Sequence, residues 1–415
     1  MANGNYYYIK TPSEFMSSIS LWSARGSSQD PKGKEGLSHY FEHLFLNKTE
    51  SLPNKIAVLR KIDSLGIFFN AYTKKNSVHY YFIQQVQTQE KAYKILLQSL
   101  KEFNVDEDDI TREREIILNE QNQFISNPKI YLWNLADQGL WPNLPLSDSS
   151  LGTKISISSI TKDDILGYKE LLFAPQNIGF LTISSLKDSR SLEKELTELT
   201  QTDTSSIKPR AYKAGGKSNN IMCEYRAIGT VFITFSFPLP GLEDFIQDKI
   251  TMEFIRNYLV SGWSSRLIER LRSEKNYVYW AFGGIESFYE AGYFRISLST
   301  TKNHISEIVK IITEEIEKIQ HNEMNEEQML HHKNTMKAHF LKHYTEIENS
   351  LLWYGWNLFI AQRNITLGDY INSLNAIKSS EVQRCARKYL PIKNLHIAAL
   401  GNISENELRS LLLRR

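Results

Sequence analysis

Apolar residues follow two different spacings along the chain, and these spacings predict strands and helices in mixed order. Short runs rich in aromatic and β-branched residues favour strands, whereas apolar residues three and four positions apart favour helices. In the first half the predicted strands are 6–10, 16–23, 67–73, 78–83 and 177–183, and the predicted helices are 36–45, 53–65, 88–103 and one from 108 or 111 to 127. The second helix is predicted to bury Ile56, Leu59, Ile62 and Leu65 on one face.

The second half repeats this order, which indicates a duplicated unit. Asn177 leads into one strand and Asn394 leads into strand 395–401, at an offset of 217 residues. Further predicted strands at 229–237 and 292–298 alternate with predicted helices at 242–259 and 304–319. We therefore expect an α+β fold of two homologous domains, each a mostly antiparallel sheet with helices packed on it. Small and polar residues predict a linker at 201–219, between domains 1–200 and 220–415.

Charge, cysteine content and overall composition indicate which partners and which compartment the protein has. The 49 basic and 47 acidic residues leave a net charge of +2, so no electrostatic argument favours nucleic acid or an anionic membrane surface. The two cysteines, Cys223 and Cys385, are too few for a disulfide framework or a cysteine zinc site and favour a reducing compartment. We see neither a signal peptide at the N-terminus nor an apolar run long enough to span a membrane. Together with a composition rich in asparagine and lysine, this favours a bacterial cytoplasm.

The sequence His39-x-x-Glu42-His43 carries the chemistry, because it lies in a stretch without Gly or Pro that predicts a helix. Residues four apart share a helical face, so two imidazoles would stand side by side with a carboxylate close by. Zinc takes imidazole nitrogen and leaves a position for water, whose proton a carboxylate can accept. The alternative is an amphipathic helix whose histidines are ordinary polar or core residues.

A third ligand has two candidates on one predicted helix. Glu113 and Glu120 are seven residues, or two helical turns, apart and so lie on the same face. One could bind zinc while the other orients a histidine, although acid-rich helical faces are usually just solvated. A separate group, His332, His339, His343 and Glu346, lacks the paired acid and is surrounded by lysines, so it is interpreted as a solvated helix.

These residues resemble a known family along nearly the whole chain. His39-x-x-Glu42-His43 followed by Glu120 is similar to the inverted zinc motif of the pitrilysin, insulinase and mitochondrial processing peptidase family. Further landmarks are Gly66 before Asn70-Ala71-Tyr72-Thr73, Glu113 before Ile116-Ile117-Leu118, and Ser265-Arg266-Leu267 before Arg272 and Tyr279. The chain departs from the family at Lys48 and Asn276, where the family usually has glycine.

The resemblance implies a zinc endopeptidase with one Zn²⁺ per chain. His39, His43 and Glu120 would bind the metal. The catalytic carboxylates would be Glu42, as the general base, and Glu113, which would orient a histidine ligand.

The resemblance also implies where a peptide substrate binds. Arg272 and Tyr279 would hold its backbone and stabilise the oxyanion, and the strand containing Asn70 and Ala71 would pair with it by strand addition.

It implies an assembly as well. Long members of the family carry four such domains in one chain and close like a clamshell. This chain has two such domains, or half of that shell, so we expect a homodimer enclosing a chamber, or else a heterodimer with a related subunit. The alternative function is a non-catalytic structural subunit of such a peptidase.

Overall fold

The computed structural model describes residues 5–11, 13–200 and 220–413, and the predicted linker 201–219 lies outside the described residues. In these ranges it has ten strands: β1 Tyr6–Lys10, β2 Met16–Ser23, β3 Phe68–Thr73, β4 Val78–Gln85, β5 Ile178–Ser184, β6 Ile221–Tyr225, β7 Val231–Pro240, β8 Ala281–Ser287, β9 Ala291–Thr300 and β10 His396–Gly401.

The same ranges contain seventeen α-helices, and none of them is both long enough and apolar enough to cross a membrane. They are α1 Leu37–Leu44, α2 Lys55–Ser64, α3 Gln89–Lys101, α4 Glu107–Ser126, α5 Pro128–Leu140, α6 Lys154–Ser159, α7 Lys162–Leu172, α8 Arg190–Leu199, α9 Leu242–Phe245, α10 Lys249–Val260, α11 Arg266–Ile268, α12 Ile305–His321, α13 Glu326–Tyr344, α14 Ile347–Gly355, α15 Leu367–Ala376, α16 Ser379–Tyr389 and α17 Glu405–Leu413.

The strands form two five-stranded sheets with the same topology. The first has the order β1-β5-β2-β4-β3 and the second β6-β10-β7-β9-β8, so adding five to each strand number converts one into the other. In each sheet one pair is parallel, β1 with β5 and β6 with β10, and the other three pairs are antiparallel. The prediction of an α+β fold with two homologous, mostly antiparallel sheets is confirmed.

The two compact units of the chain are not contiguous halves. The unit built on the first sheet includes His343–Asn364 from the second half, and the unit built on the second sheet includes Phe124–Ser147 from the first half. Each unit therefore contains one helical segment from the other sequence repeat, and the units differ in this respect from the predicted ranges 1–200 and 220–415.

Both exchanged segments pack on a sheet through apolar contacts. In the second unit, Leu132 and Leu135 of α5 lie against Leu400 of β10 in one buried cluster. In the first unit, Leu351 of α14 is buried with Trp22 of β2. The contact at α14 is close enough to require glycine, because a Cβ on Gly355 would lie 2.1 Å from the indole of Trp22.

The opposite face of the first sheet carries the helices of its own half, including α1. Tyr40 and Phe41 of α1 are fully buried in the core that contains Ile19 and Leu21 of β2. This packing fixes α1 against the sheet, so the polar side of the helix has a defined position.

Helix α2 packs differently from the sequence prediction. Ile56 and Leu59 are 61% and 37% exposed, whereas Val58 and Ile62 are buried. Because Val58 and Ile62 are four residues apart, α2 contacts the core along a narrow stripe, and the predicted wide apolar face is wrong.

Candidate active site

Helix α1 begins at a turn that only glycine fits well. Gly36 has a φ of 94°, and a Cβ there would lie 2.9 Å from the backbone of Gly152. The carboxylate of Asp30 accepts hydrogen bonds from the backbone N–H groups of Gly36 and Ser38, at 2.8 and 3.1 Å. These bonds satisfy donors of the first helical turn, so the helix is anchored just before the two histidines.

His39, His43 and Glu120 come together on the polar side of α1. The Oε2 atom of Glu120, on α4, lies 3.6 Å from Nε2 of His39 and 3.3 Å from Nε2 of His43. Each residue offers one ligand atom, and the three atoms lie within 4.8 Å of one another. Tetrahedral zinc ligands at 2.0–2.2 Å from the ion stand about 3.3–3.6 Å apart, and both distances from Glu120 to the imidazole nitrogens fall in this range.

The two histidines have different electrostatic surroundings. Burial and the neighbouring His43 lower the pKa of His39 to about 3, so its imidazole is neutral and able to bind a metal. Burial also opposes the charged form of His43, but the hydrogen bond with Glu113 and the charges of Glu120 and Glu42 outweigh burial and raise the pKa of His43. A metal ion would therefore compete with a proton at His43 more than at His39.

Glu113 is buried behind His43 and orients its ring. Its Oε2 lies 3.3 Å from Nδ1 of His43, and its Oε1 accepts a hydrogen bond of 2.7 Å from Nζ of Lys55. Burial alone would raise the pKa of Glu113, but His43 and Lys55 hold it below its usual value. A carboxylate on Nδ1 fixes the ring so that Nε2 faces Glu120. Of the two acids that the sequence left open, Glu120 is the one in the candidate metal cluster.

Glu42 lies beside the cluster and is held by a neighbouring strand. Thr73, at the end of β3, donates a hydrogen bond from Oγ1 to Oε2 of Glu42. Burial raises the pKa of Glu42, in opposition to the hydrogen bond from Thr73 and the charge of His43. A raised pKa suits a carboxylate that must both accept and return a proton near neutral pH.

Asn70 and Ala71 lie on β3, which forms one edge of the first sheet. Within the described residues β3 pairs with β4 on one side and with no strand on the other. The side chain of Asn70 is exposed and accepts a hydrogen bond of 2.9 Å from the backbone N–H of Ala71. The free edge that strand addition requires is present on the strand that ends at Thr73.

Arg272 and Tyr279 lie together in the second unit. The guanidinium carbon of Arg272 is 5.6 Å from the ring centroid of Tyr279. Arg272 belongs to a π-helical segment, Glu269–Glu274, that continues from α11. Asn276 then adopts a left-handed φ of 54°, the conformation that the usual glycine would supply. His39, His43 and Glu120 belong to the first compact unit, and the arginine–tyrosine pair belongs to the second.

Two contacts in this site had not been predicted from the sequence. Thr73 and Lys55 each contact a site carboxylate, but neither belongs to a local motif that assigns it this role. For Thr73 the only signal in the sequence is the alternation of side chains along a strand, which places Thr73 on the same face as Ala71.

Lys48, which replaces the usual glycine, forms ion pairs of 2.6 and 2.8 Å with Asp106 and Asp109.

The second histidine group does not form a metal site. In the described part of the chain, His39, His43 and Glu120 are the only set of ligands close enough to hold an ion. His332 nevertheless differs from the solvated helix predicted for it. It is 5% exposed and packs at 4.9 Å from the ring of Tyr258, and burial lowers its pKa to about 4.

Two protein-family models match the chain. The family model described as insulinase (peptidase family M16) matches residues 6–154, and the one described as peptidase M16 inactive domain matches residues 159–336. The cluster residues all lie in the first of these ranges.

Similar proteins are found among both sequences and structures. An uncharacterized zinc protease of Rickettsia felis is 25% identical over 397 residues, covering 94% of this chain and 93% of its own length. An uncharacterized zinc protease of Bacillus subtilis is 21% identical over 381 residues, with 89% of each chain covered. The crystal structure of a protease from Helicobacter pylori has a TM-score of 0.80 at 18% identity, and the match covers 96% of this chain and 97% of that one. Since the two family models together match most of its length, this chain belongs to the insulinase family of peptidases, family M16.

Proposed function

We propose that this protein is a zinc-dependent endopeptidase that cleaves peptides or unfolded segments. The observation that carries the proposal is the convergence of the ligand atoms of His39, His43 and Glu120 within 4.8 Å, with Glu42 on the same helix as the two histidines. The names of the relatives, zinc proteases, support the choice of metal. A zinc ion bound by these three residues would polarise a peptide carbonyl and lower the pKa of a bound water to about 7.

The protein's own residues supply the rest of the chemistry. Glu42 accepts the proton of the attacking water and returns it to the leaving amine. Thr73 holds the carboxylate of Glu42 in place, and Glu113 keeps Nε2 of His43 directed at the ligand position. In this proposal Arg272 and Tyr279 donate hydrogen bonds to the peptide backbone and to the developing oxyanion, and Asn70 and Ala71 pair with the extended substrate.

The test combines metal analysis with a peptidase assay. Purified protein should contain one zinc per chain and cleave quenched-fluorescence peptides, and a zinc chelator should abolish the cleavage. Glu42→Gln should keep the zinc but lower kcat by about 10²–10⁴-fold, because the base is lost and the ligands are not. Glu115→Gln, an exposed acid on α4, is the control. Wild-type protein that binds zinc and cleaves no peptide would favour the structural-subunit alternative.

We further propose a homodimer in which each working site combines the metal cluster of one chain with the arginine–tyrosine pair of the other. A heterodimer with a related subunit is the alternative. Mixing inactive His43→Ala protein with inactive Arg272→Ala, Tyr279→Phe protein should restore part of the wild-type activity, because a mixed dimer holds one complete site. Subunit exchange is verified by pull-down of tagged chains. Proven exchange without recovered activity would refute the shared site.

We place this activity in a bacterial cytoplasm. The two cysteines, Cys223 and Cys385, are both free thiols, which suits a reducing compartment.

A further inference from the structure

Two exposed aromatic rings flank one arginine in the second unit. The side chains of Trp263 and Tyr279 are 81% and 86% exposed. Single exposed apolar residues are common, but these two share a cation, since the guanidinium carbon of Arg272 lies 5.1 Å from the Trp263 ring and 5.6 Å from the Tyr279 ring. Attraction between the guanidinium and the two rings restricts the motion of the Arg272 side chain.

Arg272 differs from two neighbouring arginines, Arg266 and Arg270. Arg266 and Arg270 both form ion pairs with the buried Glu315, at 3.2 and 2.8 Å. In the described ranges no carboxylate lies within ion-pair distance, 4.0 Å, of Arg272. Its donors are therefore available for a carbonyl or carboxylate of a bound peptide.

The loop that carries Trp263 is held at several points. Gly262 adopts a left-handed φ of 94°, and Oγ of Ser265 donates a hydrogen bond of 2.8 Å to its carbonyl. Oγ of Ser264 lies 2.9 Å from Nε2 of His331, which ties the loop to α13. A ring mounted on such a loop loses little conformational entropy when a ligand packs against it.

We propose that Trp263 is a specificity-determining residue that makes the enzyme select peptides with a large apolar or aromatic side chain. This inference deepens the proposed peptidase function and rests on it. Arg272 binds a backbone carbonyl of the peptide through its free N–H edge, and the exposed face of the Trp263 indole stacks on a side chain close to that carbonyl. Tyr and Trp rings suit this role because they offer a large rigid surface at low entropic cost.

The experiment measures selectivity. Peptide pairs differ only by Phe or Ala at one position, and the position is moved through three residues on each side of the cleaved bond. At the best position the wild type should show a kcat/KM ratio of Phe to Ala peptide of about 3–10, mostly through KM. Trp263→Ala should bring the ratio close to 1, and Trp263→Phe should preserve it. Phe15→Ala removes a ring that is 79% exposed in the first unit and should change nothing.

A binding measurement separates this inference from the proposed function. Fluorescence anisotropy with Glu42→Gln protein should show the Phe peptide bound 3–10-fold more tightly than the Ala peptide, and adding Trp263→Ala should remove the difference. If this pattern appears although the wild type cleaves nothing, the peptidase proposal fails and Trp263 remains a peptide-selecting residue. Absence of a Phe preference in both measurements overturns the inference. An equal loss with both peptides in Trp263→Ala overturns it as well, because that is the pattern of a structural role.

Discussion

Substitution of Lys55 tests whether the buried carboxylate of Glu113, which lies behind His43, tunes the zinc affinity of the site. Its Nζ donates to Oε1 of Glu113 at 2.7 Å and to the backbone carbonyl of His43 at 3.1 Å. Lys55→Met keeps the apolar stem and removes the charge. Loss of this charge would raise the pKa of Glu113 and weaken the hold on the carboxylate that orients Nδ1 of His43.

The exposure of the two groups determines the size of the effect. The side chain of Glu113 is 2% exposed, which would make loss of its partner costly, but Lys55 is 29% exposed and solvent screens its charge. Glu113 also retains His43 as a partner. We therefore take the upper range of an exposed pair, about 1 kcal/mol, which corresponds to about a fivefold weaker zinc affinity. Removing the carboxylate itself, in Glu113→Gln, should cost about 10–100-fold.

Zinc affinity is measured by competition with a chromophoric chelator, on protein whose metal-free melting temperature is recorded separately. Lys48→Met is the matched control, because Lys48 also pairs with acids of the α4 region, at 2.6 and 2.8 Å, but does not contact Glu113. Lys55→Arg should restore most of the affinity. If Lys55→Met and Lys48→Met bind zinc equally well, the charge of Lys55 does not act through Glu113 and the argument fails.

Two further predictions concern the metal ligand and the buried histidine. Glu120→Ala should lose most of its zinc, measured by elemental analysis, whereas Glu115→Ala should retain it; full occupancy in Glu120→Ala would move the third ligand elsewhere. The pKa of His332 is about 4 in the folded protein, whereas an ordinary histidine has a pKa of 6.5. As pH falls from 6.5 to 4, His332 is therefore protonated in the unfolded chain before it is protonated in the folded one, and the free energy of unfolding decreases. His332→Leu should therefore reduce the loss of unfolding free energy between pH 7 and pH 5 by about 2 kcal/mol in urea titrations; an unchanged loss would contradict the assignment.

The parts of the site that the sequence predicted are those that local geometry determines. His39 and His43 share a face because a helix places residues four apart on one side. The same rule put Glu113 and Glu120 on one face of α4, and it could not decide which of them joins the cluster. That choice depends on how α4 packs against α1, which places Glu120 at both imidazoles and Glu113 behind one of them.

Contacts made by packing between elements could not be predicted in this way. Lys55 reaches Glu113 because α2 rests on a narrow stripe, Val58 and Ile62, rather than on the wider face that its apolar residues suggested. Thr73 reaches Glu42 because β3 ends beside α1. Both contacts are set by the angle between two elements, and hydrophobic periodicity contains no information on that angle.

The exchange of helical segments shows the same limit on the scale of the whole chain. An apolar stripe on α5 or α14 indicates that the helix covers a sheet, and short connections usually place a helix on the sheet of its own repeat. The structure places Leu135 of α5 against the second sheet and Leu351 of α14 against the first. Sequence repetition therefore identifies the homologous domains, whereas the buried apolar surface that stabilises each unit includes a segment from the other repeat. The duplicated sequence unit and the compact structural unit are different objects in this protein, and only the repeat is visible in the sequence.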